Sequence, residues 1–183
     1  MEQLTRSLSP EKILEVWEAG RQQHELDRAL TLLSAAYPGA SQGELADLTI
    51  GERDARLLQL REAVFGIGAG GISECPECGE RVEFPLDPRT LAHAEEVLEP
   101  AREIQVNGAP VRFRLPTSRD LAEVVVAPDQ SRGLHVLIDR CVIEPRLPGE
   151  LPDEILEALS QAILKADPQA EIMISLGCPN CGE

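Results

Sequence analysis

A six-residue box occurs twice in the chain, as Cys75-Pro-Glu-Cys-Gly-Glu80 and as Cys178-Pro-Asn-Cys-Gly-Glu183, and the two copies hold four of the five cysteines. Two C-x-x-C turns supply four thiolates, the ligand set of a closed tetrahedral structural zinc site. Two intervening residues let a tight turn aim both sulfurs at one point. The glycine after the second cysteine accepts the backbone angles such a turn needs. Backbone N–H groups in the turn point toward the sulfurs and offset part of the thiolate charge. Roughly a hundred residues separate the boxes, so a shared ion would tie the middle of the chain to residue 181. The expected ligands of a structural Zn2+ are therefore Cys75, Cys78, Cys178 and Cys181.

Other chemistries use the same residues. A thioredoxin-like redox pair also reads C-P-x-C, but it opens a helix after a buried strand and occurs once. Here the motif is duplicated, and the first copy leads into Arg81-Val-Glu-Phe-Pro-Leu86, which reads as a strand. A disulfide framework suits an exported chain with paired cysteines, whereas this one has an odd number and no recognisable signal peptide. The fifth cysteine, Cys141, sits in an apolar helical stripe and reads as a small buried hydrophobe rather than a ligand or nucleophile. His24, His93 and His135 are isolated, without metal spacing. Gly66-Ile-Gly-Ala-Gly-Gly71 matches G-x-G-x-x-G, but a helix precedes it and a cysteine knuckle follows. A dinucleotide site needs the reverse order, so the run reads as a flexible connector.

Composition narrows the classes further. The 183 residues are 43 % hydrophobic, enough for a compact domain with a small satellite, and the few aromatics leave the core to Leu, Val, Ile and Ala. A formal charge of −15, spread along the chain, gives an acidic surface that repels phosphate backbones and argues against nucleic-acid binding. No apolar run is long enough to span a bilayer. Metal-type cysteines without an export signal point to the cytoplasm.

The elements that must position the boxes are mostly helical. Ser9-Pro10 starts a helix ending at Gly20, with Ile13, Leu14 and Trp17 on one face. A second runs from about Glu25 to Tyr37, and Ser41 to Leu48 adds a short turn. Residues 48–66 form a longer helix with an inward stripe of Leu57, Leu60 and Val64. Its Arg53, Asp54, Arg56, Arg61 and Glu62 read as a solvated face or, alternatively, an interface. After a strand over 82–86, a helix runs from Asp87 to about Leu98. A β-hairpin spans 104–115, turning at Asn107-Gly108 with the turn stretched by Ala109-Pro110. Thr117 and Asp120 form a capping-box start for a helix to Ala127, and another helix covers 129–143 with Leu134, Leu137, Ile138, Cys141 and Val142 on one face. Pro145, Pro148 and Pro152 stiffen the approach to a last amphipathic helix, Asp153–Lys165. Residues 171–176 read as a strand that pairs with 82–86 beside the metal. The expected fold is α+β, mostly helical with a small antiparallel β-sheet and a zinc-ribbon-like site. Residues 1–70 form a helical region, and residues 71–183 form an α+β region closed by the knuckles at 75–80 and 178–183.

The order of short motifs resembles the T-even-phage-type baseplate hub assembly chaperones of contractile phage tails and extracellular contractile injection systems. The resemblance rests on Arg28-Ala-Leu-Thr-Leu-Leu33, Ile50-Gly-Glu-Arg-Asp-Ala-Arg-Leu-Leu58, Leu60-Arg-Glu-Ala-Val-Phe-Gly66 and Cys75-Pro-Glu-Cys-Gly-Glu-Arg-Val-Glu-Phe84. It continues through Phe113-Arg-Leu-Pro-Thr-Ser-Arg-Asp-Leu121, Arg140-Cys-Val142 and Asp167-Pro-Gln-Ala-Glu171. It implies a non-enzymatic factor in the cytoplasm of a bacterial host or producer cell, with hub, spike or other tail proteins as partners and neither nucleic acid nor membrane. Of the family's functional residues only the four cysteine ligands carry over. Members of that family continue past the second knuckle into a further strand and helical tail, whereas the sequence here ends at Glu183. Two other functions fit the boxes: a zinc-ribbon adaptor for transcription or RNA machinery, and a dithiol redox enzyme. The first needs a basic or aromatic face, yet Glu74, Glu77, Glu80 and Glu83 surround the first box against Arg81 alone. The second needs a strand–helix setting that neither box has.

Overall fold

The computed structural model describes residues 8–91, 99, 101–145 and 151–182. Four helices come first: α1 (Pro10–Gly20), α2 (Glu25–Ala36), α3 (Gln42–Ala46) and α4 (Ile50–Phe65). Their starts follow from side-chain capping. Ser9 accepts the Lys12 N–H and Pro10 occupies the first turn of α1. Reciprocal capping boxes open α3 (Ser41 with Glu44) and α4 (Thr49 with Glu52). Gly66, at φ 76°, closes α4 with its N–H on the Glu62 carbonyl. Leu33, Ala36, Tyr37, Leu45 and Leu60 make the core of this helical part.

Two strands follow, β1 (Ala69–Glu74) and β2 (Arg81–Leu86), paired antiparallel with Glu74 opposite Arg81. After α5 (Pro88–Leu91) comes a three-stranded sheet in the order β3 (Arg102–Val106), β4 (Ala109–Phe113), β5 (Val142–Glu144). Helices α6 (Ser118–Val125) and α7 (Gln130–Cys141) lie between β4 and β5, and α8 (Asp153–Ala166) runs on into a 3-10 turn at Pro168–Ala170. Phe113, Ile138, Cys141, Leu159 and their neighbours fill a second core between this sheet and the helices. The fold is α+β, as the sequence predicts, with two small antiparallel sheets among the described residues.

Several details depart from the sequence reading. The glycine run at 66–71 is not simply a connector, because its second half is strand β1. Gly71 stands opposite Phe84, and a Cβ on Gly71 would lie 2.2 Å from the Phe84 ring. The ring occupies the space the missing side chain leaves, which holds a glycine-rich strand in register. β2 thereby takes its partner from just across the first knuckle, and residues 171–176 carry no strand pairing. The hairpin turn at Asn107-Gly108 is not stretched: both residues have positive φ, the two-residue geometry that matches strand twist, and Ala109-Pro110 belongs to β4. Leu14 and Trp17 on the apolar face of α1 and Leu134 on that of α7 are exposed, whereas Arg53, read as part of a solvated or interface face, is buried against Asp54 and Ser118. The expected helix beyond Leu91 and residues His93 and Pro148 lie outside the described residues.

The two cores are joined at a few polar points. Ile50 donates its N–H to the Pro116 carbonyl beside a Thr49–Thr117 bridge, and Arg119 pairs with Asp47. Asp167, 2 % exposed, ends α8 with its backbone N–H on Ile163 and accepts the Gly51 N–H at 2.9 Å, placing a carboxylate at the N-terminus of α4. Asp120, fully buried, receives both guanidinium nitrogens of Arg114 (2.6 and 2.8 Å), Arg140 Nε (2.9 Å), and the N–H and hydroxyl of Thr117. Burial alone would raise its pKa. The Arg114 pair, the Thr117 N–H and Arg140 outweigh that and hold the carboxyl well below the usual aspartate range.

Two stability predictions follow from these carboxylates. A Cβ on Gly51 would stand 1.8 Å from the Asp167 carboxylate, so Gly51→Ala is expected to cost about 2–4 kcal/mol through overpacking and the lost charge-assisted bond. The check is a lower urea midpoint at unchanged slope; a parental midpoint refutes it. Asp120→Asn is expected to cost about 2–3 kcal/mol near neutral pH, less than a fully buried pair, because Arg114 and Arg140 keep about a third of their exposure. Since Asp120's folded pKa is depressed, its contribution is complete above its unfolded value of about 3.9 and is lost as pH falls through the folded value. The gap between parent and variant should therefore narrow below about pH 4; a constant gap down to strong acid contradicts the assignment.

Candidate metal centre

Both boxes fold into the same turn for the same local reason. In the first, which links β1 to β2, the Gly79 N–H returns to the Cys75 carbonyl at 2.9 Å with Gly79 at φ 73°. In the second, the Gly182 N–H returns to the Cys178 carbonyl at 2.9 Å with Gly182 at φ 82°. Left-handed glycine lets the chain double back directly after the second cysteine, which brings the two thiols of a box to one side. The Cys75 N–H donates to the Glu80 carbonyl at 2.9 Å and sets the first turn on the end of its hairpin.

The four sulfurs converge. Cys75 Sγ lies 3.5 Å from Cys181 Sγ and Cys78 Sγ 3.6 Å from Cys178 Sγ, and all four atoms fall within 4.8 Å of one another. These separations far exceed the roughly 2.05 Å of a disulfide. They match the edge of about 3.8 Å of a tetrahedron with metal–sulfur bonds of about 2.3 Å. Each close pair takes one sulfur from each box, so an ion bound here is shared between turns a hundred residues apart. The four expected ligands are thus brought together and could hold a metal ion. Among the described residues this is the one such group of three or more His, Cys, Asp or Glu ligands. Neither His24 nor His135 belongs to it.

The surroundings prepare the thiols for metal. Cys75 and Cys178 are buried, while Cys78 and Cys181 reach the surface and leave an approach from solvent. The Asn180 side chain and then the Glu80 N–H bring the Cys78 thiol down to about 6. The N–H groups of Cys78 and Glu77 lower Cys75. Hydrogen bonds to the charged form favour the thiolate, the species that binds metal. Asn180 fills the variable position of the second box yet serves a cysteine of the first, a role visible only once the boxes face each other. Cys141 is the opposite case. Fully buried in the C-terminal core, it is pushed up to about 12 by desolvation, in agreement with its reading as a packing residue.

Comparison with known proteins finds no matching family model, no significantly similar curated protein and no significantly similar solved structure.

With metal stripped under reducing conditions, iodoacetamide is expected to label Cys78 well before Cys141, as peptide mass spectrometry can read; equal rates would contradict the environments described. Cys178→Ser should lower bound metal and the melting temperature together. Unchanged metal content and unchanged melting in that variant would remove the shared site from the account.

Proposed function

We propose that the chain is a non-enzymatic assembly factor stapled by a structural zinc ion, serving the baseplate hub of a contractile phage tail or injection system. The convergence of four thiols from two distant boxes carries the zinc part of this reading. Four thiolates in tetrahedral array are a preferred set for Zn2+, with iron the main competitor, and they close the coordination sphere without a place for water or substrate. When bound, the ion supplies cross-linking rather than Lewis-acid chemistry. Cys75 and Cys78 hold the β1–β2 hairpin, Cys178 and Cys181 hold the chain beyond α8, and Asn180 with the turn N–H groups offsets the thiolate charge.

The assembly role is supported by the order of motifs running through nearly the whole chain, from Arg28 to the second knuckle. An acidic surface at net charge −15 suits protein partners better than nucleic acid. Hub, spike or other tail proteins are the partners in this reading. The setting is the cytoplasm of the bacterial host or producer cell, where reduced thiols persist.

Purified protein is expected to carry about one zinc per chain by elemental analysis, with iron at trace level. A tagged copy drawn from its native host should bring down hub, spike or baseplate components, identified by mass spectrometry. Recovery of polymerase or ribosomal proteins instead would make the chain a zinc-ribbon adaptor, and a metal-free dithiol that cycles with dithiothreitol would make it a redox protein.

A further inference from the structure

Helices α1, α2 and α4 enclose an open groove of about 670 Å3. Val16 and Leu60 form its buried floor, with Leu32, Leu57 and Val64 packed around them. Its rim carries Ile13, Trp17 and Phe65, the last two 57 % and 73 % exposed. A Trp and a Phe left in water on one groove have apolar area to bury against something else. Helical spacing puts Ile13 and Trp17 on one face of α1, and both line this groove.

The polar residues of the groove say what that something is. Its only charged lining residues are Arg21, Arg28 and Arg61, with no Asp or Glu among them, in a chain with 32 acids against 17 basic residues. Each guanidinium is held by neutral partners. Arg21 stacks 5.0 Å from the centre of the Trp17 ring. Arg28 donates to the carbonyls of Gly20 and Gln23, and Arg61 to those of Gly66 and Gly68. Among the described residues none of the three pairs with a carboxylate, so three positioned positive charges border an apolar trough on an otherwise acidic molecule. Rigidly held Arg beside Trp is a frequent anchor combination in protein interfaces.

We infer that this groove docks an acidic amphipathic helix of a partner protein. Apolar side chains at i, i+3, i+4 and i+7 would lie on the floor, with flanking Asp or Glu meeting the guanidinium groups. A helix is the fitting form because three packed helices offer no unpaired backbone edge to an added strand. The inference rests on the groove alone and holds whether or not the partner belongs to a tail.

The test is fluorescence anisotropy with a labelled peptide of about 16 residues, Leu on one helical face and Glu flanking it, against the same peptide with Lys for Glu. The Glu peptide should bind at least about tenfold more tightly, and more weakly at high salt. Trp17→Ala and Arg21→Glu, both at surface positions, should each weaken it about tenfold with unchanged circular dichroism, while Val126→Ser, at an exposed apolar residue outside the groove, should not. Equal binding of the two peptides, or indifference to Arg21→Glu, overturns the proposal. So does a homodimer in sedimentation that Trp17→Ala dissolves, which would make a second copy the occupant. A large gain in peptide affinity on deleting residues 1–7 would likewise assign the groove to the chain's own N-terminal segment.

Discussion

A buried carboxylate fixes the geometry of the C-terminal half. Asp120 has lost its water, and a lone anion there would be costly enough to protonate or to open the core. Five hydrogen bonds replace the solvent, and they come from three places in the chain: the residue after β4, the start of α6 and the last turn of α7. Two guanidinium groups can satisfy it only if α7 lies across α6 at one position and β4 leaves the sheet at one angle. That placement returns the chain from α7 so that Val142 falls opposite Phe113, and the three-stranded sheet closes. Polar specificity of this kind selects one packing among several that apolar contact alone would permit.

The cysteine site stands apart from that core. The residues of β1 and β2 contribute to neither buried cluster, and a two-stranded hairpin is marginal in water. Its support is the Phe84 ring over Gly71, the helix that feeds it and the turn that ends in thiols. Satellite and body therefore use different physics: packed apolar volume and buried ion pairs in one, short-range turns and soft ligands in the other. A small element with little core commonly depends on metal in this way.

How much of this was legible in the sequence divides along the same line. Local signals translated directly. The Ser9-Pro10 helix start, the Thr117–Asp120 capping box, the position of the Asn107-Gly108 turn and the duplicated cysteine box depend on residues no more than four apart, and the structure has each where the pattern puts it. What failed needed distant partners. Nothing near Arg53 in sequence shows that Ser118 will stand above it, and nothing near Gly71 shows that Phe84 will supply its missing side chain. Asp120 was read as a cap, and it is one, but its two arginines come from other elements. Periodicity also cannot tell a stripe that faces the core from one that borders an open groove, so the shared face of Ile13 and Trp17 did not reveal that both stand on a groove rim.

The interleaving of the two boxes has a consequence in time as well as in space. Cys75 and Cys78 leave the ribosome a hundred residues ahead of their partners, a delay of about 5–20 s at ordinary rates of synthesis. During that interval the first turn is a half-site: two thiols, an incomplete coordination sphere and nothing opposite. Two ligands hold an ion far less tightly than four, and unpaired thiolates are open to oxidation. The nascent chain thus passes through a stage in which its most reactive groups are ready before its fold can use them, and the ion can be locked in only after residue 181 has been added.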